Sequence, residues 1–245
     1  DDPTGSQCVA GIDVAFDDDP AIPIGVLSEP GSTCFVLTNT RALDEDDAAA
    51  MNRRIVGGVL DGGIPARGLH VVSRSDSTLR GHVIAEPVAI AEELAAHGVD
   101  VDAIILCPAM IEAGRFTEGD IHYAKVDGEA VEVADTDFAR DATFGYTNSD
   151  LREFLQERSG GTVRAADVLS IGLDDIRSGG LPRVREILSG ARDRRWVVVN
   201  ATEYSDMEVV TAALTELEAE GRAFISRCAP SFVRPLAGQS EARVV

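Results

Sequence analysis

Short runs rich in Val, Ile, Leu and Phe alternate along the chain with longer stretches of helical periodicity. The runs at 35–38, 69–72, 103–107, 168–171, 196–200 and 224–227 predict strands. Most are apolar at nearly every position, the pattern of strands covered on both faces. The stretch 43–60 predicts an amphipathic helix with Asp44, Glu45, Asp46 and Asp47 in its first turn, where the helix dipole favours acids. A second helix is expected over 83–97, with Val88, Ala91, Leu94 and Ala95 at helical spacing and Pro87 in or before the first turn. A third is expected over 205–220, opened by a capping box of Ser205 and Glu208 and stopped at Gly221. The pattern predicts an α/β protein: a mainly parallel sheet with helices on both faces, in a Rossmann-like three-layer arrangement.

One stretch breaks the alternation. Residues 123–133 read as a hairpin turning at Asp127-Gly128, so a small hairpin insertion is expected near 122–133. The polar stretch 134–147 is expected to pack over the sheet. Residues 1–237 then form one domain, and 238–245 read as a frayed tail or a linker.

Composition narrows the function. The chain has 245 residues, 42 acidic against 22 basic, and a net charge of −20. Such a balance argues against nucleic acid and against an anionic membrane surface as partners. No apolar run approaches the roughly 20 residues of a membrane span. Cys8, Cys34, Cys107 and Cys228 form no CxxC pair, which excludes zinc and redox motifs and suits a reducing, cytoplasmic setting. His70, His82, His97 and His122 lack ligand spacing, so no metal is expected, and His122 beside Asp120 is the one histidine to watch. There is no P-loop and no GxGxxG.

The chemistry gathers where predicted strands end. Asn39-Thr40-Arg41, Arg74-Ser75-Asp76-Ser77-Thr78-Leu79-Arg80 and Glu112-Ala113-Gly114-Arg115 each follow an apolar run. In open parallel sheets the ligand crevice lies at the carboxyl ends of strands. Arg41, Arg74, Arg80 and Arg115 would then share one edge with Asn39, Asp76, Ser77 and Thr78. Guanidinium forks recognise carboxylate and phosphate, so the set suits a small hydroxylated anion. Each residue also has a plainer reading: the arginines as solvated loop residues or ion pairs, Asp76 to Thr78 as a helix N-cap, Asp1 to Gly5 as a loose terminus.

Several of these stretches resemble one known family. Asp1-Asp2-Pro3-Thr4-Gly5 resembles the DDxTG motif of the four-carbon acid-sugar kinases. Asp76-Ser77-Thr78-Leu79-Arg80-Gly81 resembles their DSTLRGN motif, with His82 in place of Asn. Pro108 through Glu112-Ala113-Gly114-Arg115, then Gly119-Asp120-Ile121-His122-Tyr123, resembles their PAFPEAGR…G.HY stretch, and Asp137-Phe138-Ala139-Arg140-Asp141 their TEFxxD segment. The resemblance implies two α/β domains, an N-terminal one binding the acid sugar and a C-terminal one binding ATP with Mg²⁺. Together they would phosphorylate erythronate, threonate or 3-oxo-tetronate at the 4-hydroxyl. It also implies roles. Asp1 would contact the substrate, and Asp1 or Asp2 would accept the hydroxyl proton. Arg41 and Arg80 would bind the carboxylate, with Asp76, Ser77 and Thr78 completing the pocket. Arg74, where many members have Lys, or Arg115 would steady charge on the transferring group. The matched motifs belong to the N-terminal domain alone, and the short strand that precedes DDxTG in the family is not in this sequence. The 245 residues are therefore expected to bind sugar acid but no ATP, and to need a C-terminal ATP-binding domain as partner; a homodimer is left open. The alternative is a stand-alone, non-catalytic sugar-acid binding or regulatory domain. A Rossmann-type dehydrogenase is disfavoured by the missing glycine-rich turn.

Overall fold

A parallel sheet buried on both faces needs strands that are apolar throughout, and the central strands meet that demand. The computed structural model describes residues 8–239. In chain order the elements are β1 (Asp13–Ala15), α1 (Ala21–Leu27), β2 (Cys34–Val36), α2 (Glu45–Asp61), β3 (Val71–Arg74), α3 (Ala85–Ala96), β4 (Ala103–Cys107), β5 (Arg115–Glu118), β6 (Ile121–Val126) and β7 (Glu129–Glu132). There follow α4 (Leu151–Arg158), β8 (Leu169–Ile171), α5 (Leu173–Arg177), α6 (Gly180–Ser189), β9 (Arg195–Val199), α7 (Tyr204–Ala219), β10 (Phe224–Cys228) and α8 (Pro230–Leu236).

Strands β3, β10, β4, β9 and β8 form one sheet in that order, and every neighbouring pair is parallel. Successive side chains point to opposite faces. Ala103, Ile105, Cys107, Val197, Val199 and Phe224 pack with Val184 and Leu188 of α6, Val210 and Leu214 of α7 and Phe232 of α8. Ile104, Leu106, Trp196 and Val198 pack on the other face with Leu151, Phe154 and Leu155 of α4. Ile225 meets Val56 and Leu60 of α2 and Ile90 and Leu94 of α3. The three-layer α/β fold read from the sequence is the fold that forms.

Five of the predicted strands enter this sheet within two residues of their expected bounds. The first does not. β2 pairs in parallel with β1 in a separate two-stranded sheet. The predicted start of the last long helix also shifts. Ser205 caps nothing; Glu203 is the N-cap, and the Asp206 carboxylate accepts from the backbone N–H of Thr202 at 2.9 Å and of Glu203 at 3.2 Å. Arg177 decides this, because its hydrogen bonds of 2.8 and 2.9 Å fix Asp206 at that position. Gln239 departs from the expected frayed tail, its amide bonding both ways to the backbone of Ala10 at 3.0 and 2.7 Å.

The hairpin forms as read, with Asp127 and Gly128 at φ 51° and 88°, and β5 adds a third antiparallel strand. The unit is bolted to the carboxyl end of the main sheet. Thr117 and Ala201 exchange two backbone hydrogen bonds of 3.0 Å. Buried Asn200 accepts from the Asp120 N–H at 2.7 Å and donates to the Asp120 carboxylate at 2.8 Å. The stretch after it folds into 3-10 turns at Val133–Asp135 and Asp137–Arg140, and Val133, Ala139 and Tyr146 enter the core.

Cys8, Cys107 and Cys228 are buried and all four cysteines are free thiols. Burial pushes the Cys107 thiol up to about 12 and that of Cys8 up to about 11, so they act as small apolar side chains. His70 lies 2.6 Å from Glu218 and 2.9 Å from the Ser226 hydroxyl. That order mimics a hydrolase triad, yet Ser226 is fully buried inside β10 and no substrate reaches it. The group is a strut between the entry to β3, α7 and β10.

Beneath the carboxyl ends of β3 and β10 lies a buried ion pair, Glu86 with Arg227. Arg227 donates to the Ser73 hydroxyl at 2.7 Å, and Ser73 donates to Glu86 at 3.1 Å. Burial opposes the charge on Glu86, but Arg227 and the Thr40 hydroxyl hold its carboxyl below the usual range. The cluster ties β3, β10, α3 and the turn after β2 at one point. Glu86→Ala should cost about 3–5 kcal/mol in urea unfolding, because it leaves a buried guanidinium unpaired; an unchanged midpoint would show that the pair carries no such weight.

Candidate functional site

The arginines predicted to converge are carried to one edge by different elements. Arg41 stands in the 3-10 turn Thr40–Ala42 after β2, and exposed Asn39 turns the chain into it at φ 49°. Arg74 ends β3, and Arg115 opens β5. Asp76, Ser77, Thr78 and Arg80 lie in the loop between β3 and α3. Asp1 and Asp2 lie outside the described residues.

Asp76 is the hub. Its carboxylate accepts from Arg80 Nε at 2.8 Å and from the Thr78 hydroxyl, and Arg41 Nη1 lies 3.8 Å away. The capping reading of Asp76 to Thr78 fails, because α3 starts at Ala85 with Ile84 as its N-cap and no side-chain cap. Ser77 sends its hydroxyl to the Met110 sulfur at 3.5 Å. Arg74 is buried and donates Nη1 to the Ser75 carbonyl at 3.1 Å.

The insertion supplies residues that the strand-end reasoning did not assign to the site. The Phe138 ring takes the guanidinium carbons of Arg80 and Arg115 at 5.5 and 5.6 Å from its centre. Asp141 faces Arg80 at 3.9 Å, and the backbone N–H groups of Phe144 and Thr143, with the arginines beyond, hold its carboxyl below the usual range. Phe138 and Asp141 sit in the TEFxxD-like segment, which was the available signal.

The loop itself is strained and latched. Leu79 adopts φ 67°, a left-handed conformation that costs a leucine of order 1–3 kcal/mol. Two insertion side chains hold the loop carbonyls. His122 Nε2 donates to the Ser77 carbonyl at 2.9 Å, and the Tyr146 hydroxyl donates to the Thr78 carbonyl at 2.8 Å. A carbonyl only accepts, so the His122 proton is on Nε2, and Nδ1 accepts from the Thr117 hydroxyl at 2.9 Å. Asp120, beside it in sequence, turns away toward Asn200, Ser170 and Arg152.

Among the described residues no group of three or more His, Cys, Asp or Glu could hold a metal, and no glycine-rich turn leads from a strand into a helix as a phosphate cradle requires. No helix among the described residues is long and apolar enough to cross a membrane.

The fold is thus a mainly parallel α/β domain with arginines, hydroxyls and an aspartate gathered beyond its strand ends. The family model for the sugar-binding N-terminal domain matches residues 1–236, and the chain belongs to that family. Its solved structural neighbours are proteins of the domain family DUF1537, the four-carbon acid-sugar kinase family. One is a Bordetella bronchiseptica protein described as a domain-swapped dimer with bound citrate: TM-score 0.68, 23% identity, covering 97% of this chain and 55% of that one. Another, from Haemophilus influenzae, gives a TM-score of 0.64 at 14% identity, covering 93% of this chain and 55% of that one. The chain thus spans about half the length of these structures. No curated protein matches it in sequence.

Burial lowers the His122 pKa to about 4, against an ordinary value of 6.5. The unfolded chain then binds more protons than the native one between those values, so stability is full above pH 6.5 and drains away as pH falls toward 4. His122→Gln, which keeps a donor near the Nε2 position, should flatten that decline by about 3 kcal/mol between pH 7 and 4. Unfolding curves at several pH values test this; parallel declines in both proteins would refute it.

Proposed function

We propose that this chain is the sugar-acid-binding half of an ATP-dependent, cytoplasmic kinase acting on a four-carbon sugar acid at its 4-hydroxyl. The observation that carries the reading is the guanidinium cluster around Asp76, at the carboxyl edge of a parallel sheet, in a chain of the sugar-binding N-terminal family. Arg41 and Arg80 offer forks to the carboxylate, and the Thr78 and Ser77 hydroxyls beside them are proposed to meet the sugar hydroxyls. The Bordetella relative carries citrate, itself a hydroxylated carboxylate.

For transfer, the attacking hydroxyl must lose its proton, and Asp1 or Asp2 is the proposed acceptor. The γ-phosphate and Mg²⁺ must be held in line with that hydroxyl, and such positioning supplies nearly all the catalysis. The chain covers 55% of its solved neighbours, and a C-terminal domain is proposed to bring those groups to this edge.

Erythronate or threonate should raise the melting temperature of the chain, and Arg80→Ala should remove most of the shift. Losing one partner of a buried charge-assisted pair costs roughly 2–5 kcal/mol. An undiminished shift in the mutant would take Arg80 out of the site. The chain alone should release no ADP from ATP–Mg²⁺ with tetronic acids. Steady release, abolished by Asp1→Asn and Asp2→Asn, would overturn the division into two domains.

A further inference from the structure

The arginines of this edge are not equally committed. Arg80 gives its Nε to Asp76 at 2.8 Å and to the Thr78 hydroxyl at 3.2 Å, and stands 3.9 Å from Asp141. Arg41 leans on Asp76, and Arg41 and Arg74 are both partnered. Arg115 differs. Its Nε is shielded from solvent and has no hydrogen-bond partner, and among the described residues its guanidinium pairs with no carboxylate. What it has is the Phe138 ring, 5.6 Å away.

Shielding a charged donor without a partner is unfavourable, and an aromatic face offsets only part of that loss. The Nε atoms of Arg152, Arg222, Arg227 and Arg234 are shielded in the same way, yet each of those guanidiniums pairs with a carboxylate, and of these five described arginines Arg115 is the one without. Phe138 sits on the 3-10 turn Asp137–Arg140, whose Ala139 is buried in the core, so the ring is a fixed platform. Its centre is nearly equidistant from Arg80 and Arg115, at 5.5 and 5.6 Å. The ring therefore sets the spacing between a guanidinium already paired and one that is not.

We propose that Arg115 is a further guanidinium that engages the ligand's carboxylate beside Arg41 and Arg80, and that Phe138 is the positioning residue that presents it. This rests on the reading of the edge as a site for small hydroxylated acids. Arg41 and Arg80 then meet the carboxylate from the side of Asp76, while Arg115 adds a fork that pairs with no carboxylate of the described residues.

Titration calorimetry on the full 245-residue chain tests the pair, with erythronate, threonate and citrate as probes. Phe138→Leu should weaken binding about tenfold, and Phe138→Tyr, which keeps a π face, should stay within about twofold of wild type. Arg115→Ala should weaken binding on the order of a hundredfold. In the Arg115→Ala background, Phe138→Leu should add less than about twofold, because its effect runs through Arg115. A merely structural Phe138 would cost the same with or without Arg115. Equal costs in both backgrounds, or wild-type affinity in Phe138→Leu, would overturn the proposal. If the wild type binds citrate with this coupling but neither tetronate, the tetronate reading fails and the Arg115–Phe138 assignment stands. If it binds none of the three, both fall.

Discussion

Like charges drawn to one place must be held there against their own repulsion, and this constraint shapes the carboxyl end of the sheet. Two unit charges 4 Å apart repel by about 4 kcal/mol at an effective dielectric near 20. The protein answers by threading Asp76 among the guanidiniums, with Arg80 hydrogen-bonded at 2.8 Å and Arg41 ion-paired at 3.8 Å. Asp141 offsets Arg80 from the far side, and Phe138 spreads Arg80 and Arg115 against a π face. Each neutralising element is partial. The edge is thus held short of full internal pairing, which is what the proposed anion site requires.

The same demand explains why the hairpin insertion belongs to the site. A loop carrying Asp76, Thr78 and Arg80 must bend sharply, and Leu79 takes the bend at φ 67°. Left to itself, such a loop would relax. His122 and Tyr146 hold two successive carbonyls, and both come from the insertion. The insertion is in turn fixed to the residues just after β9, through Thr117 with Ala201 and through Asp120 with Asn200. Below them, Glu86 and Arg227 fix the strand ends to α3. Sheet, insertion and loop form one support, in which a fully buried, neutral His122 fixes the loop that carries Asp76 and Arg80.

This hierarchy also sets what could be read from the sequence. Strand β4 was legible because Ala103 to Cys107 is five apolar residues between polar flanks. Arg41, Asp76 and Arg80 were legible because each follows an apolar run within a few residues, and strand ends are where parallel sheets place ligands. Helices α5 and α6 were not, since Gly179 and Gly180 split a weak pattern into two short pieces. The latches were hidden for another reason. His122 reaches Ser77 across 45 positions and Tyr146 reaches Thr78 across 68, and no local period encodes such pairings. The Ser205 capping box failed likewise, because a distant Arg177 chose Asp206.

The net charge of −20 looks hostile to an anion, and the question is which scale of electrostatics governs. At physiological ionic strength the Debye length is about 8 Å, so exposed acids elsewhere on the surface are largely screened at the site. The acids in the first turn of α2 and the exposed pairs along α6 and α7 act within their own neighbourhoods. Within a Debye length of Asp76 the nearest charges are arginines, and they are partly shielded from water, where each interaction is stronger. At the proposed site, affinity for an anion is therefore expected to follow the local cluster. The global charge acts on the approach, slowing encounter with anions at low salt and mattering less as salt rises. Arginine serves at this edge as it does along the whole chain, in which Lys125 is the one lysine. A planar fork held near the Phe138 ring, with Nε on Asp76, keeps its geometry where a point charge on a flexible stem would be drawn off toward neighbouring carboxylates.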